Sequence, residues 1–153
     1  MKHLILYGPP AAGKLSVAEA LSRMTGYPLV RNHLANSFVK EVFPFSHPQM
    51  ARLVIEFRTQ VVEAAAKARL DGLISTLVYA RGTVDDRILR DWAKRVARHG
   101  GETLFVRLHC GERTLMRRIA QPGREGQRQI HSEKQLKGLM RRLDLFAPVA
   151  RVA

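Results

Sequence analysis

Short apolar runs alternate along this chain with longer segments in which apolar residues recur every three or four positions. The short runs have the length and composition of buried strands, and the periodic segments are typical of helices with one apolar face. Four strands are predicted, from HLILY (3–7), PLVRNH (28–33), LISTLVYA (73–80) and ETLFVRLHC (102–110).

The periodic segments predict six helices, and Gly or Pro follows several of them. In the longest segment an apolar stripe runs from Met50 to Ala68, and Gly72 ends it. The predicted helices cover 13–24, 35–42, 47–72, 85–98, 113–121 and 136–146. Because strands and helices alternate, we expect an α/β fold with a parallel sheet, formed by one domain over residues 1–153.

The composition changes this picture little. With 46% hydrophobic and 25% charged residues, the chain is expected to be globular, and no apolar run approaches the length of a membrane span. Cys110 cannot form an internal disulfide, and no His/Cys cluster has the spacing of a zinc site. The expected compartment is the cytoplasm.

The net charge of +13 is the unusual number. Such an excess attracts polyanions, which include nucleotides, phosphorylated substrates and nucleic acid, although a well-solvated arginine-rich surface explains it equally well. Aromatic residues make up only 7% of the chain and no nucleic-acid-binding motif is present, so nucleic acid is not the expected partner.

The segment GPPAAGKLS, at 8–16, joins the first strand to the first helix. It nearly completes the phosphate-binding pattern G-x-x-x-x-G-K-[ST] (Walker A), in which backbone amides at a helix start and a lysine surround phosphates. The alternative is a chance glycine turn. The predicted nucleotide-binding residues are Gly8, Ala11, Ala12, Gly13, Lys14, Leu15 and Ser16.

Leu15 departs from that pattern, because the residue after the lysine normally offers a hydroxyl to Mg²⁺. Ser16 follows one position later, about 100° further around the helix, and therefore suits the α-phosphate better than the metal. We expect ATP binding to be retained, with Mg²⁺ coordination that is weakened or mediated by water.

With this loop placed after its first strand, the chain resembles the P-loop small-molecule kinases, which include shikimate kinase, adenylate-kinase-like enzymes and chloramphenicol-phosphotransferase-like proteins. It also resembles a bacterial subgroup of AAA-family or shikimate-kinase-like ATPases, in which G-K-L-[ST] is the usual form. The resemblance implies a three-layer fold with sheet order 2-3-1-4-5. This chain ends where strand 5 would begin, so order 2-3-1-4 is expected, and the unpaired edge leaves a homodimer open.

The resemblance also implies a short arginine-rich lid, here at about 121–132. Arg118, in the helix before it, and Arg124, within it, match the lid arginines of these kinases, and Arg128 is a weaker candidate. A cationic loop hinged by Gly and Pro can close over phosphates and stabilise charge on a transferred group. The alternative is a surface loop with incidental arginines.

For the acceptor, the resemblance implies Arg58, because shikimate kinases carry F-R-x-x-E and this chain has Phe57-Arg58 with Val61 in place of the glutamate. A solvent-facing Arg58 on the helix flank is the alternative. Asn32 and His33, at the end of the second predicted strand, stand where those kinases have an aspartate pair, although a lone histidine is often structural. Asp85 and Asp86 are explained by helix capping, and no convincing catalytic base is found.

Three functions remain open on the sequence. The leading hypothesis is an ATP-dependent phosphotransferase with Lys14, Arg118 and Arg124 as catalytic residues and a small molecule as acceptor. The second is a nucleotide-binding module without efficient catalysis, which Leu15 and the missing acids favour. The third, a basic nucleic-acid-binding domain, depends on charge alone.

Overall fold

The protein is described here by a computed structural model that covers residues 1–120, 130 and 132–149. Within this part of the chain, four strands form one parallel sheet in the order β2-β3-β1-β4, as the sequence predicts. The central strand β1 pairs with β3 on one side and β4 on the other. The strands are β1 (Lys2–Tyr7), β2 (Leu29–Val30), β3 (Gly72–Leu77) and β4 (Glu102–Arg107).

Six helices lie within the described residues, and most of them connect successive strands. The connections from β1 to β2, β2 to β3 and β3 to β4 are all helical, which is how parallel strands are normally joined. The helices are α1 (Lys14–Thr25), α2 (Asn32–Lys40), α3 (Pro48–Lys67), α4 (Val84–Arg98), α5 (Glu112–Ile119) and α6 (Glu133–Arg142). None of them is long and apolar enough to cross a membrane.

Alternate residues of β1 point to opposite faces of the sheet, and each face has its own helices. Ile5 and Tyr7 pack with residues of α3 and α4, including Val62 and Trp92, in the largest apolar cluster. On the other face, Leu6 packs with Ala18 of α1. The α/β architecture is therefore a central sheet between two helical layers.

Several predicted boundaries differ from the structure, and two of the differences affect the site and the chain path around it. The second strand, expected to continue through Asn32 and His33, ends at Val30, because α2 begins at Asn32. The longest helix ends at Lys67 rather than at Gly72, which instead opens β3. A Cβ at Gly72 would lie 2.1 Å from the Tyr27 ring, so glycine is needed there for the chain to pass that side chain.

A histidine is buried in the sheet. His3 has no exposed surface, and its Nε2 lies 2.9 Å from Ser75 Oγ, while its ring centroid is 5.9 Å from that of Trp92. Burial, assisted by the positive charge of Arg58, lowers the pKa of His3 from 6.5 to about 3. The folded protein therefore keeps this imidazole neutral far below the pH at which an unfolded chain protonates it.

We expect the unfolding free energy to fall as the pH is lowered from about 6.5 towards 3. In that window His3 is protonated in the unfolded chain but stays neutral in the native protein, so acid favours unfolding. The loss of unfolding free energy at the lower limit is on the order of a few kcal/mol. Urea unfolding at a series of pH values measures this slope. In the variant His3→Gln the unfolding free energy should depend less steeply on pH over the same window. An equal slope in both proteins would contradict the assignment to His3.

Candidate nucleotide-binding site

The segment 8–13 forms the turn between the end of β1, at Tyr7, and the start of α1, at Lys14. It lies at the carboxyl edge of the parallel sheet, where ligands bind in open α/β folds. Gly8 and Pro9 are buried, so the turn is seated in the protein rather than projecting from it.

The turn has a backbone conformation that ordinary residues avoid. Gly8, Ala11 and Gly13 have φ values of 144°, 61° and 91°. Such positive φ angles reverse the direction of successive peptide groups, and they are found in the concave turns that bind anions. Gly13 is the N-cap residue of α1, so no side chain at the cap competes for the first amides of the helix.

Gly8 is required by a close backbone contact. A Cβ atom added to this residue would lie 2.3 Å from the carbonyl oxygen of Leu108, just beyond the end of β4. The amide of Leu108 donates to the carbonyl of Tyr7 at 2.8 Å, so the two chain segments are tied together at this point. The first glycine of the motif therefore fixes where the turn leaves the sheet.

Lys14 reaches back across the turn. Its Nζ donates to the carbonyl oxygens of Gly8 at 2.9 Å and of Pro9 at 2.6 Å. The ammonium group at the start of the helix thus lies over the first residues of the loop. This is the placement in which a lysine adds positive charge to the helix dipole at a phosphate site.

Arg118 brings a second cation to the loop. Its Nη1 lies 3.3 Å from the carbonyl oxygen of Ala11 and 4.0 Å from Cys110 Sγ. Helix α5 is held there by an apolar cluster that joins Leu115 and Met116 to Ala12 of the loop. The structure therefore brings Arg118 together with Lys14, whereas Arg124, Arg128 and most of the predicted lid lie outside the described residues.

The residues around α1 do not fit a magnesium ion bound by the protein. Leu15 occupies the position of the usual hydroxyl ligand, and Ser16 is exposed one position later. Mg²⁺ in phosphate sites is normally held by one or two carboxylates as well as by the phosphates. In the part of the chain that the structure describes, no group of three or more His, Cys, Asp or Glu could hold a metal ion.

The three predicted acceptor residues lie along the same edge of the sheet, near β2 and β3. Asn32 and His33 open α2, directly after β2, and both are half-buried. Arg58 projects from α3 and donates to the carbonyl oxygen of Thr76 at 2.9 Å, near the end of β3. Strand β3 lies between β2 and β1, so these residues flank the phosphate loop on one side only.

Arg58 is not on the surface, so its interpretation as a solvent-facing side chain is wrong. Only 4% of it is exposed, and its guanidinium carbon lies 4.8 Å from the centroid of the Trp92 ring. Its Nε is buried without a hydrogen-bond partner among the described residues. Burial lowers the pKa of Arg58 to about 10, while the negative charge of nearby Asp85 acts in the opposite direction and raises it. The guanidinium therefore remains charged at neutral pH.

Asp85 and Asp86 stabilise the turn before α4 rather than capping the helix, because the N-cap residue is Thr83. Asp85 accepts from the amide of Ala80 at 3.0 Å, and Asp86 accepts from the Tyr79 hydroxyl at 2.7 Å and from the amide of Gly82 at 2.8 Å. Burial raises the pKa of Asp85, while the Tyr79 hydrogen bond lowers that of Asp86. Both carboxylates hold the turn between β3 and α4.

Comparison with known proteins gives structural neighbours alone. No family model matches the sequence, and no curated protein is significantly similar to it. A protein from Chloroflexus aurantiacus described as a "putative kinase" superposes with a TM-score of 0.73 at 17% identity, over 99% of this chain and 80% of that one. The fold is that of the P-loop small-molecule kinases.

Two further solved structures carry more specific descriptions. A gluconokinase from Sinorhizobium meliloti 1021 superposes with a TM-score of 0.61 at 17% identity, over 99% of this chain and 86% of the gluconokinase. A shikimate kinase from Acinetobacter baumannii, in complex with shikimate, gives a TM-score of 0.57 at 17% identity, over 91% and 74% of the two chains. These three neighbours are described as a putative kinase, a gluconokinase and a shikimate kinase, which supports the resemblance seen in the sequence.

Two residues that shape this candidate site are not visible in the sequence motif. Leu108 sets the position of Gly8, and Trp92 forms the platform beneath Arg58. Both contacts join residues that are far apart in the chain, so no local pattern pairs them. The presence of a single tryptophan in the sequence is the only hint that position 92 is special.

We expect Gly8→Ala to lower the unfolding free energy by about 2–4 kcal/mol, because the new methyl group meets a backbone carbonyl that cannot move aside alone. Gly26→Ala is the matched control. Gly26 also has a positive φ, of 73°, but nothing lies within 4 Å of its added Cβ, so it should lose only about 1 kcal/mol. Chemical denaturation measures both, and equal losses would contradict the contact with Leu108.

Proposed function

We propose that this chain is a P-loop phosphotransferase that uses ATP to phosphorylate a small molecule. The observation that carries the proposal is the meeting of two cations, Lys14 and Arg118, on the backbone of the turn after β1. Three structural neighbours, described as a putative kinase, a gluconokinase and a shikimate kinase, support nucleotide-dependent phosphoryl transfer as the class of reaction.

In this proposal the turn holds the phosphates. Amides of residues 11–16 at the start of α1 would face the β- and γ-phosphates, and the helix dipole would favour their charge. The Lys14 ammonium would exchange a loop carbonyl for a phosphate oxygen, which needs only a short movement from its present position over Gly8 and Pro9. Ser16, exposed in the first turn of the helix, would donate to the α-phosphate.

Arg118 would stabilise the group in transfer. Bound ATP supplies the phosphoryl group, and its negative charge must be balanced while the group moves between two oxygens. A guanidinium fixed by α5 beside the loop can do this without reorganisation, which is the main source of electrostatic catalysis. Arg124 would join it as the second lid arginine.

The acceptor would lie beside β2 and β3. Asn32 and His33 would face the acceptor from the start of α2. Arg58 would act on the acceptor from the protein interior, as a fixed positive charge at the carboxyl end of β3. Because Arg58 stays charged and its Nε has no partner among the described residues, this side of the site favours an anionic acceptor.

One observation favours a second function, a nucleotide-binding module without efficient catalysis. Leu15 removes the usual metal ligand, and in the described residues no group of three or more His, Cys, Asp or Glu replaces it. Phosphate binding by backbone amides does not need the metal, so such a loop would still bind nucleotide. We assign no step of the reaction to a magnesium ion held by the protein.

We expect Lys14→Ala to weaken ATP binding by about 10- to 100-fold, the usual worth of a charge-assisted hydrogen bond that is lost. Lys94→Ala is the control, because it removes the same charge from an exposed position on α4. Isothermal titration measures the affinity, and circular dichroism confirms that both variants fold. Equal affinities in the two variants would contradict the placement of the phosphates in this turn.

Titration with and without Mg²⁺, followed by a screen of anionic acceptors for ADP release, separates the two functions. A phosphotransferase should bind ATP in both conditions and release ADP only with Mg²⁺ and a suitable acceptor. ATP affinity that is indifferent to Mg²⁺, with no ADP release for any acceptor, would favour the binding module.

A further inference from the structure

The outer face of helix α4 carries a row of positive charges. Four exposed cations on this helix lie within about 80° of one another around its axis, and the row is about 16 Å long. The members of this cationic row are Arg87, Arg90, Lys94 and Arg98. In the part of the chain that the structure describes, none of them takes part in an ion pair. The row is therefore a patch of charge that no direct contact balances.

Exposed charges on the longest helix, α3, are balanced instead. Arg52 and Glu56 lie 2.9 Å apart, and Lys67 lies 3.6 Å from Glu63. Helix α6 contains one such pair as well. Opposite charges four residues apart are neighbours on a helix surface and stabilise it. This is the pattern expected of a helix face that is only solvated.

The cationic row has the opposite pattern. Arg90, Lys94 and Arg98 follow one another at intervals of four residues, so each interval brings like charges together, which destabilises a helix. Helix α4 tolerates this repulsion because Leu89 and Trp92, on its opposite face, are anchored in the largest apolar cluster. An anion that lies along the row would relieve the repulsion. The arrangement therefore favours a ligand with several negative charges over solvation alone.

The acids that border the row are engaged by other groups. Asp91, on the flank of the row, accepts from Arg95 Nε at 2.8 Å, and Arg95 also pairs with Glu63 of α3. Asp86, in the first turn of α4, accepts from the Tyr79 hydroxyl at 2.7 Å, and this bond is the main reason why the pKa of Asp86 is lowered. The positive field of the row therefore extends into solvent.

A membrane surface does not fit the row. Helices that lie on membranes place large apolar side chains beside their cations, and these side chains enter the lipid. On α4, every large apolar side chain between positions 87 and 98 is buried in the protein. A single small anion does not fit either, because the four cations are spread along the outside of a helix rather than gathered around one point.

A nucleic-acid backbone does fit the row. Each strand of duplex DNA has one phosphate about every 3.4 Å along the axis, so the row can meet about five phosphates of one strand. Trp92, the aromatic residue of α4, is buried and offers no surface on which a base could stack. The contacts would therefore be made to phosphates, which position a protein on a duplex without reading its sequence.

We propose that the cationic row of α4 binds the phosphate backbone of duplex nucleic acid without sequence preference. The net charge of +13 attracts any polyanion but does not by itself say where one binds, and the row supplies the place. The inference is independent of the proposed phosphotransfer, because no step of that reaction uses the outer face of α4.

Fluorescence anisotropy of the full chain with labelled duplexes of DNA and of RNA tests the binding. We expect dissociation constants of about 1–100 µM at physiological salt, similar for both duplexes and for unrelated sequences, because only phosphates are contacted. If all four cations contact phosphates, the logarithm of the association constant should fall with the logarithm of the salt concentration at a slope of about −3.6. No binding at low salt, an affinity that salt does not change, or tighter binding to phosphatidylserine vesicles than to the duplexes would overturn the proposal.

Neutral substitutions locate the surface. Arg87→Gln combined with Arg98→Gln removes both ends of the row, and it should weaken binding about tenfold and make the salt slope shallower by about 2. Lys134→Gln combined with Arg141→Gln is the matched control, because it removes the same charge from exposed positions on α6 and should change the affinity less than about twofold. Circular dichroism confirms folding, and Arg90→Gln alone should show a smaller loss if the double variant does not fold. Equal losses in the two double variants would mean that binding follows net charge alone, which contradicts the assignment to α4.

Discussion

The site depends on a backbone contact between two strands. Gly8 passes so close to the carbonyl of Leu108 that no side chain fits between them, and the amide of Leu108 is bonded to Tyr7 at the same place. The phosphate turn therefore starts from a position fixed by the central strand and its neighbour. Because β1 is held on both sides, by β3 and β4, the position of the turn is set by the whole sheet, while its own glycines permit its conformation.

The two cations on this turn follow from the same geometry. When successive amides point into a concave turn, the carbonyl oxygens of that segment point elsewhere and need donors. Lys14 and Arg118 supply them, at Gly8, Pro9 and Ala11. Positive charge is thus gathered around a helix N-terminus, an arrangement that is costly unless an anion completes it. The turn is organised in advance for the charge that it is proposed to bind.

The sequence predicts those parts of the fold that local patterns encode. Apolar runs and helical periodicity predict the four strands, their parallel arrangement and the turn that precedes α1, whereas the order of the strands is implied by the resemblance to the P-loop kinases. These local patterns fail at Asn32 and His33, which are predicted to end a strand but begin α2. The apolar pattern of PLVRNH does not show that β2 pairs with β3 through two residues only. Gly72 ends no helix, because its role is to pass the Tyr27 ring, a contact across 45 positions that no window contains.

Arg58 shows why the acceptor side was harder to predict than the loop. Helical register places it at the edge of an apolar stripe, and register alone cannot distinguish a charged flank from a buried cation. The structure decides the question through Trp92, whose ring lies beneath the guanidinium and whose Nε1 donates to Thr59 at 2.8 Å. A tryptophan on a different helix turns a surface position into an interior one.

The same tryptophan contacts two buried bases that respond to burial in the same way but end in different charge states. His3 and Arg58 both contact its ring, and each loses proton affinity through desolvation. His3 starts near neutrality and becomes a neutral hydrogen-bond partner for Ser75, whereas Arg58 starts so high that it keeps its charge. Two buried cations so close together would repel strongly, and the charge of Arg58 itself helps to keep His3 neutral. Of this buried pair, the charged member is therefore the one beside Thr76, at the carboxyl edge of the sheet, where an anionic acceptor would meet its field.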